Sequence, residues 1–159
     1  MKKYVFAAAL ALVLGAWGQA ADRPAAIATA TQEEPETLPF PDGRPRAYFV
    51  NLANGDSVRT PFRVVFGLSG MGVAPAGVDA SNTGHHHLLI DATLSAEERA
   101  YAIPADDNHV HFGGGQTEAV LTLPPGEHTL QLVLGDRGHT LFNPSVESEV
   151  ITINVHAAE

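Results

Sequence analysis

From residue 46 onward the chain consists of short runs in which apolar and polar residues alternate, separated by Gly, Pro, Asn and Asp. A period of two is typical of β-strands that bury one face. The alternation predicts strands at residues 47–52, 62–68, 86–91, 119–123, 128–134 and 149–155. One helical turn is predicted at residues 95–101, where Ser95 precedes two glutamates. This pattern predicts an all-β fold, an immunoglobulin-like antiparallel β-sandwich.

The first 45 residues lack this alternation. Residues 1–20 combine two lysines, an apolar run and small residues before position 21, which is the pattern of a cleaved signal peptide. The apolar run is shorter than the roughly 20 residues that span a bilayer, and no cysteine follows it for lipid attachment. We therefore expect a periplasmic or secreted protein with no membrane span after cleavage. Residues 21–45, rich in Ala, Thr, Pro and Glu, predict a disordered, flexible tether before a β-sandwich domain at residues 46–156.

Composition narrows the chemistry. The chain has 9 basic against 18 acidic residues, and signal cleavage would remove both lysines. Nucleic acids are excluded as partners, because binding them needs clustered Lys and Arg. The absence of cysteine excludes disulfides and every metal site built on thiolate. The eight histidines, all of which lie after residue 20, are therefore the main candidates for a functional site.

Two H-x-H pairs stand out among these histidines. His85 and His87 share one face of a predicted strand, while His86 faces the other side. His109 and His111 repeat the spacing. Side chains two residues apart on a strand lie about 7 Å apart on one face, so two such pairs on neighbouring strands would supply several imidazoles to one metal ion. Imidazole without thiolate suits Zn²⁺, Cu²⁺ or Ni²⁺, and copper or zinc is the expected ion.

Other residues are candidates to support this site. His128 and Met71 are candidate additional ligands, and the thioether of Met71 would favour copper. Asp91 and Glu118 are candidates to accept hydrogen bonds that orient the imidazoles. A triple glycine directly follows His111 and indicates a close approach of the backbone or a sharp exit from a strand. It consists of Gly113, Gly114 and Gly115. His139, which follows Asp136 and Gly138, could join the site or simply face water, and His156 is expected to be solvated.

Two alternatives to metal binding stay open. The histidines could brace loops through hydrogen bonds to carboxylates, in a non-enzymatic module that binds another envelope protein. A cupin-like metal-dependent enzyme is the other alternative, but a cupin motif has a Glu and then a Gly after its H-x-H pair. This chain has Asp91 and Glu98 there instead. No G-x-S-x-G nucleophile motif is present, so no catalytic residue is predicted.

Three segments resemble an uncharacterised family of exported bacterial proteins, a domain of unknown function. They are NTGHHHLLID at residues 82–91, DDNHVHFGGGQTE at residues 106–118 and LPPGEHTLQLVLGD at residues 123–136. The resemblance extends from residue 46 to residue 155. It implies an exported, β-rich domain whose signature positions include the histidines of the first two segments and residues 113–118. It implies no activity, so it leaves the choice between metal binding and the alternatives open.

Overall fold

The computed structural model describes residues 42–159. The predicted signal peptide and all but the end of the predicted tether lie outside the described residues. The described residues form nine strands and one short 3₁₀ helix, Glu98–Ala100. The strands are β1 (Arg46–Phe49), β2 (Ser57–Arg59), β3 (Phe62–Ser69), β4 (Gly72–Val73), β5 (Thr83–Ile90), β6 (His109–His111), β7 (Glu118–Leu121), β8 (Gly126–Gly135) and β9 (Ile151–His156). From residue 42 to the end of the chain, no helix is long and apolar enough to cross a membrane.

Two sheets contain these strands. The smaller sheet has the order β1-β3-β7, and the larger has the order β2-β9-β8-β5. Beyond β5, the short strands β4 and β6 follow one another along the same edge, each pairing with a different part of β5. All pairings are antiparallel except β2 with β9 and β4 with β5. Both exceptions involve edge strands of only two or three residues.

The main core lies between the two sheets. Val64 and Phe66 of β3 face Leu88 of β5, Leu132 of β8 and Ile153 of β9, and all five side chains are buried. In β3 and β9 these residues alternate with more exposed ones, as strands with one buried face require. The prediction of an all-β, immunoglobulin-like sandwich is confirmed.

The larger sheet is also covered on its outer face. Leu89 and Val133 pack there against Leu94 and Ile103 from the segment that follows β5, with Leu141 beside them. Seven consecutive residues of β5, from 84 to 90, are therefore buried. This double burial explains why the sequence HHHLLI shows no alternation of polarity: neither face of β5 meets water.

The predicted elements match most of the observed ones. The predicted helical turn is a single 3₁₀ turn, stabilised by reciprocal hydrogen bonds between Ser95 and Glu98. The Ser95 amide donates to Oε2 of Glu98 at 2.8 Å, and the Glu98 amide donates to Oγ of Ser95 at 3.2 Å. The strands β2, β4 and β6 are not among the six predicted, because two or three residues are too few to show a period.

Candidate metal centre

His85 and His87 lie on the outer face of β5, and each is 0% exposed. Their shared face follows from strand alternation, as the sequence predicted. Both rings point to the same spot, with the two Nε2 atoms 3.1 Å apart. The segments that cover the outer face keep water away from both rings.

His111 reaches the same spot from β6. The register of β6 against β5 pairs His111 directly with His87, and residues paired across antiparallel strands place their side chains on one face. The ring centre of His111 lies 5.0 Å from that of His87 and also 5.0 Å from that of His85. The two H-x-H pairs therefore converge through one member of the second pair.

His139 completes the group from the turn after β8. Its backbone has a φ of 68°, and the turn is stabilised by Asp136, whose Oδ1 accepts hydrogen bonds from the amides of Gly138 and Thr140 at 2.8 Å. This conformation brings Nδ1 of His139 to 3.1 Å from Nε2 of His85. The sequence pattern did not predict this residue as a ligand, because a single histidine in a turn has no periodic partner.

The four histidines can each offer one ring nitrogen to a common point. These nitrogens, from His85, His87, His111 and His139, all lie within 4.8 Å of one another. Nitrogens bound about 2.0–2.1 Å from a Zn²⁺ ion are about 3.3 Å apart in a tetrahedron. The two 3.1 Å separations are close to that value. The group thus has the ligand number of a four-coordinate metal site, and two of its nitrogen pairs have the matching spacing.

Hydrogen bonds between the histidines do not fully explain this geometry. Nε2 of His85 lies 3.1 Å from a ring nitrogen of His87 and 3.1 Å from one of His139. A nitrogen of a neutral imidazole carries either one hydrogen or one lone pair, so it cannot make two well-directed hydrogen bonds. A cation, by contrast, accepts one lone pair from each ring. Hydrogen bonds among the histidines therefore do not explain both contacts of this nitrogen.

The electrostatics keep the buried rings in the form that binds metal. Burial, together with the charges of neighbouring histidines, lowers the pKa of His85 to about 4 and that of His87 to about 3. Asp136 acts in the opposite direction on His85, but its effect is smaller. Burial and then His139 also lower the pKa of His111. Neutral imidazoles have the free lone pair that coordination needs.

One side of the group is accessible. His111 is exposed and His139 is half-buried, whereas the two histidines of β5 are completely covered. The rings of His111 and His139 contact each other, with centres 4.6 Å apart. An ion could therefore enter from solvent past these two rings and stop at His85 and His87.

Two predicted ligands lie elsewhere and have other partners. His109 pairs with Leu89, two residues along β5 from the group, and its Nδ1 lies 2.9 Å from Oδ1 of Asp106. His128 lies at the other end of the same sheet. Its Nδ1 is 2.6 Å from Oδ2 of Asp91, and its Nε2 is 2.9 Å from the carbonyl oxygen of Pro124. The structure does not bring either ring to the four-histidine group.

The remaining predicted residues are also placed by the structure. Met71 lines an open groove with Tyr48 and Phe142, outside the group. The Glu118 carboxylate accepts a hydrogen bond from Arg63 on the neighbouring strand. Asp91, besides contacting His128, accepts a hydrogen bond from the amide of Thr129. Within residues 42–159, no hydrogen bond connects Met71, Glu118 or Asp91 to the four imidazoles.

His86 lies on the face of β5 opposite His85 and His87, as strand alternation predicted, and this face is the inner core. It is 0% exposed and packs against Phe66, with ring centres 5.3 Å apart. Within the described part of the chain, neither of its ring nitrogens has a hydrogen-bond partner. Burial, with a smaller effect of His85, lowers its pKa to about 4. His86 is therefore a neutral residue of the core and no part of the metal-binding geometry.

The triple glycine follows β6 and forms a turn. The amide of Gly114 donates to Oε1 of Gln116 at 2.9 Å, and the amide of Gly115 donates to the carbonyl of Phe112 at 3.1 Å. The carbonyl of Gly113 accepts a hydrogen bond from the amide of Ala76 at 2.9 Å. The turn is thus tied to the segment after β4.

Comparison with known proteins identifies a family. Residues 64–156 match the family described as "Domain of unknown function (DUF4399)". The match covers more than half of the chain, so the chain belongs to this family, and the resemblance to an uncharacterised family is confirmed. No curated protein matches the chain.

Two solved structures are similar in part. An endo-β-1,4-mannanase from Thermotoga petrophila has a TM-score of 0.41 at 18% identity, over 80% of this chain and 22% of the mannanase. The fibronectin(III)-like modules of CbhA from Clostridium thermocellum have a TM-score of 0.36 at 11% identity, over 71% of this chain and 99% of the modules. This chain thus spans less than a quarter of the mannanase.

Proposed function

We propose that this DUF4399 chain binds one divalent transition-metal ion, Cu²⁺ or Zn²⁺, through four imidazoles. The observation that carries the proposal is the convergence of ring nitrogens from His85, His87, His111 and His139 to within 4.8 Å of one another. Three separate segments supply these rings: β5, β6 and the turn after β8. Each segment is held by its own backbone hydrogen bonds.

The ligand type supports the proposed ions. Imidazole nitrogen suits Zn²⁺ and Cu²⁺, whereas Mg²⁺ and Ca²⁺ prefer oxygen ligands. The group contains neither a carboxylate nor a sulfur atom, so the hard cations and Cu⁺ are disfavoured. Of the two proposed ions, Cu²⁺ is expected to bind more tightly, following the usual order for divalent ions at nitrogen sites.

The proposed role is binding rather than catalysis. A catalytic zinc site keeps one coordination position for water or substrate, whereas a tetrahedral ion held by four protein ligands has none free. We therefore propose metal capture, storage or delivery. The signal-peptide pattern of residues 1–20, in which basic residues precede an apolar run, supports a role in the periplasm or outside the cell.

Elemental analysis of the untagged protein tests the proposal. One copper or zinc ion per chain is expected after incubation with the metal and desalting. The double variant His111→Ala/His139→Ala is expected to lose the ion, because two of four ligands are removed. His156→Ala is the matched control, since His156 lies at the end of β9 outside the group. A wild-type protein that retains no ion would contradict the proposal and leave the protein-interaction alternative.

A further inference from the structure

We infer that Gly113 and Gly135 are positioning residues of the metal site, because the missing side chain at each leaves the room that the rings of His111 and His87 occupy. The inference rests on the proposed function, and it assigns a role to two residues that have no ligand atom of their own. Its evidence is the space around the two glycines and the conformation of their backbone.

Gly135 ends β8 directly beside the site. It is the cross-strand partner of His85, so a side chain at position 135 would lie on the same face as the histidine group. A Cβ atom at this position would lie 2.9 Å from Nε2 and 3.2 Å from Cδ2 of His87, and 3.3 Å from Cδ1 of Ile103. Even alanine would therefore press against the nitrogen that His87 directs toward the other rings.

Gly113 stands in the same relation to His111. A Cβ atom at position 113 would overlap the imidazole of His111 and lie only 2.5 Å from its Nε2. The carbonyl of Gly113 is held by the amide of Ala76 at 2.9 Å, so the turn resists moving away. The ring of His111 is exposed, and we expect it to be displaced instead.

The backbone does not require glycine at either position. Gly115 has a φ of 78° and Gly126 a φ of 145°, a region that other residues rarely adopt. Gly113 and Gly135 are not among the residues with positive φ. An alanine could adopt their backbone conformation, so contact with the imidazoles is the reason for glycine.

The affinity for Zn²⁺, measured by competition with a chromophoric chelator, tests the inference. Gly113→Ala and Gly135→Ala are each expected to weaken binding by about tenfold or more, the usual effect of disturbing the residues that orient metal ligands. Gly114→Ala is the matched control, because the three atoms nearest to its Cβ would belong to the flexible side chain of Gln116, at 3.1–3.3 Å. It is expected to bind as tightly as the wild type.

A double-variant comparison separates positioning from a general effect on the fold. In the His111→Ala background, Gly113→Ala is expected to cause no further loss of affinity, since the ring it displaces is gone. In the metal-free protein, Gly113→Ala is expected to shift the NMR signals of the His111 ring and leave the core signals unchanged. This readout does not depend on any metal, and it decides the matter for position 113 even if Gly135→Ala does not fold.

The outcomes are distinguishable. Wild-type affinity in both glycine variants, or an equal further loss in the His111→Ala background, would overturn the inference while the proposed function stands. An unchanged His111 signal in Gly113→Ala would also overturn it for that position. A wild-type chain that binds no Zn²⁺ or Cu²⁺ would overturn the proposed function, and the role of the two glycines in a metal site with it.

Discussion

His86 is fully buried on the inner face of the larger sheet with neither ring nitrogen hydrogen-bonded within residues 42–159. A buried polar group without a partner costs stability, and an apolar residue of similar size avoids that cost. We therefore expect His86→Leu to keep the unfolding free energy at pH 7 or raise it by about 1 kcal/mol. Urea denaturation measures the change, and metal binding is expected to persist because His86 faces away from the site. A loss above about 2 kcal/mol would contradict this interpretation.

The His128 and Asp91 pair makes a different contribution to stability. Burial alone would lower the pKa of His128, but hydrogen bonds to Asp91 and to the Pro124 carbonyl, with the charge of Asp91, outweigh burial and raise it above the ordinary 6.5. A raised pKa means that the folded state favours the charged ring. The resulting stability is fully present below pH 6.5 and is lost as the pH rises through the raised pKa.

We therefore expect His128→Gln to destabilise the protein by on the order of 1 kcal/mol more at pH 5.5 than at pH 9. Chemical denaturation of the wild type and the variant at both pH values measures the difference. His156→Gln serves as the control, because His156 is exposed and makes no pair of this kind in the described part of the chain. A difference that is the same at both pH values would show that the pair carries no net charge interaction.

Residue patterns predicted which histidines of the two H-x-H segments share a face, but not what those histidines contact. Alternation correctly separated His86 from His85 and His87. The choice between His109 and His111 depends on the register of β6 against β5, which pairs His111 with His87 and His109 with Leu89. Register is fixed by backbone pairing and turn geometry between distant segments, so no local pattern contains it.

At the scale of elements, the four candidate ligands connect segments that are far apart in the sequence. β5 is covered on both faces, whereas β6 has three residues at the sheet edge and His139 lies in a turn. A bound ion would tie both peripheral segments to the central strand. We expect Zn²⁺ to slow amide hydrogen exchange in residues 109–112 and 136–141, with little change in β3 or β9. Exchange mass spectrometry measures this, and uniform slowing across all strands would contradict it.

Strand prediction succeeded for the strands of four or more residues and missed those of two or three. β3 and β8 extend over eight and ten residues, and both were predicted within a few residues. β4 and β6 were not predicted because they have no hydrophobic period of their own. They are strands because they pair with β5. His139 was missed for a related reason: the turn that carries it is defined by hydrogen bonds to Asp136.

For the whole molecule, the proposed site links metal supply to stability. An ion that binds only the folded state stabilises it by mass action, by about 2.7 kcal/mol at a free concentration one hundred times the dissociation constant. We expect Zn²⁺ to raise the melting temperature by several degrees and EDTA to reverse the increase. The double variant His111→Ala/His139→Ala is expected to melt at the same temperature with and without the ion. A wild-type protein that melts identically under both conditions would contradict metal binding at this site.

The sandwich could be predicted from the sequence, because alternation and turn residues recur over the whole domain. The family could be predicted from the resemblance of the three segments at residues 82–91, 106–118 and 123–136. The identity of the ion stays a prediction, since four imidazoles admit more than one divalent metal. The location in the periplasm or outside the cell also stays a prediction. The absence of cysteine narrows the range of metals all the same, because it leaves histidine as the main ligand.

The two short strands that share one edge of β5 also affect solubility. A long, apolar edge strand offers unpaired amides and carbonyls to other chains, which is a common origin of aggregation. Here β4 covers residues 83–84 and β6 covers residues 87–89 of β5. Because His111 belongs to β6, an ion held by the four histidines would hold β6 against this edge of β5 and so stabilise the cover that β4 and β6 form. Loss of the ion would then loosen the cover and expose β5, whose residues 84–90 are otherwise buried, to self-association. Metal starvation is therefore expected to favour aggregation before it unfolds the core.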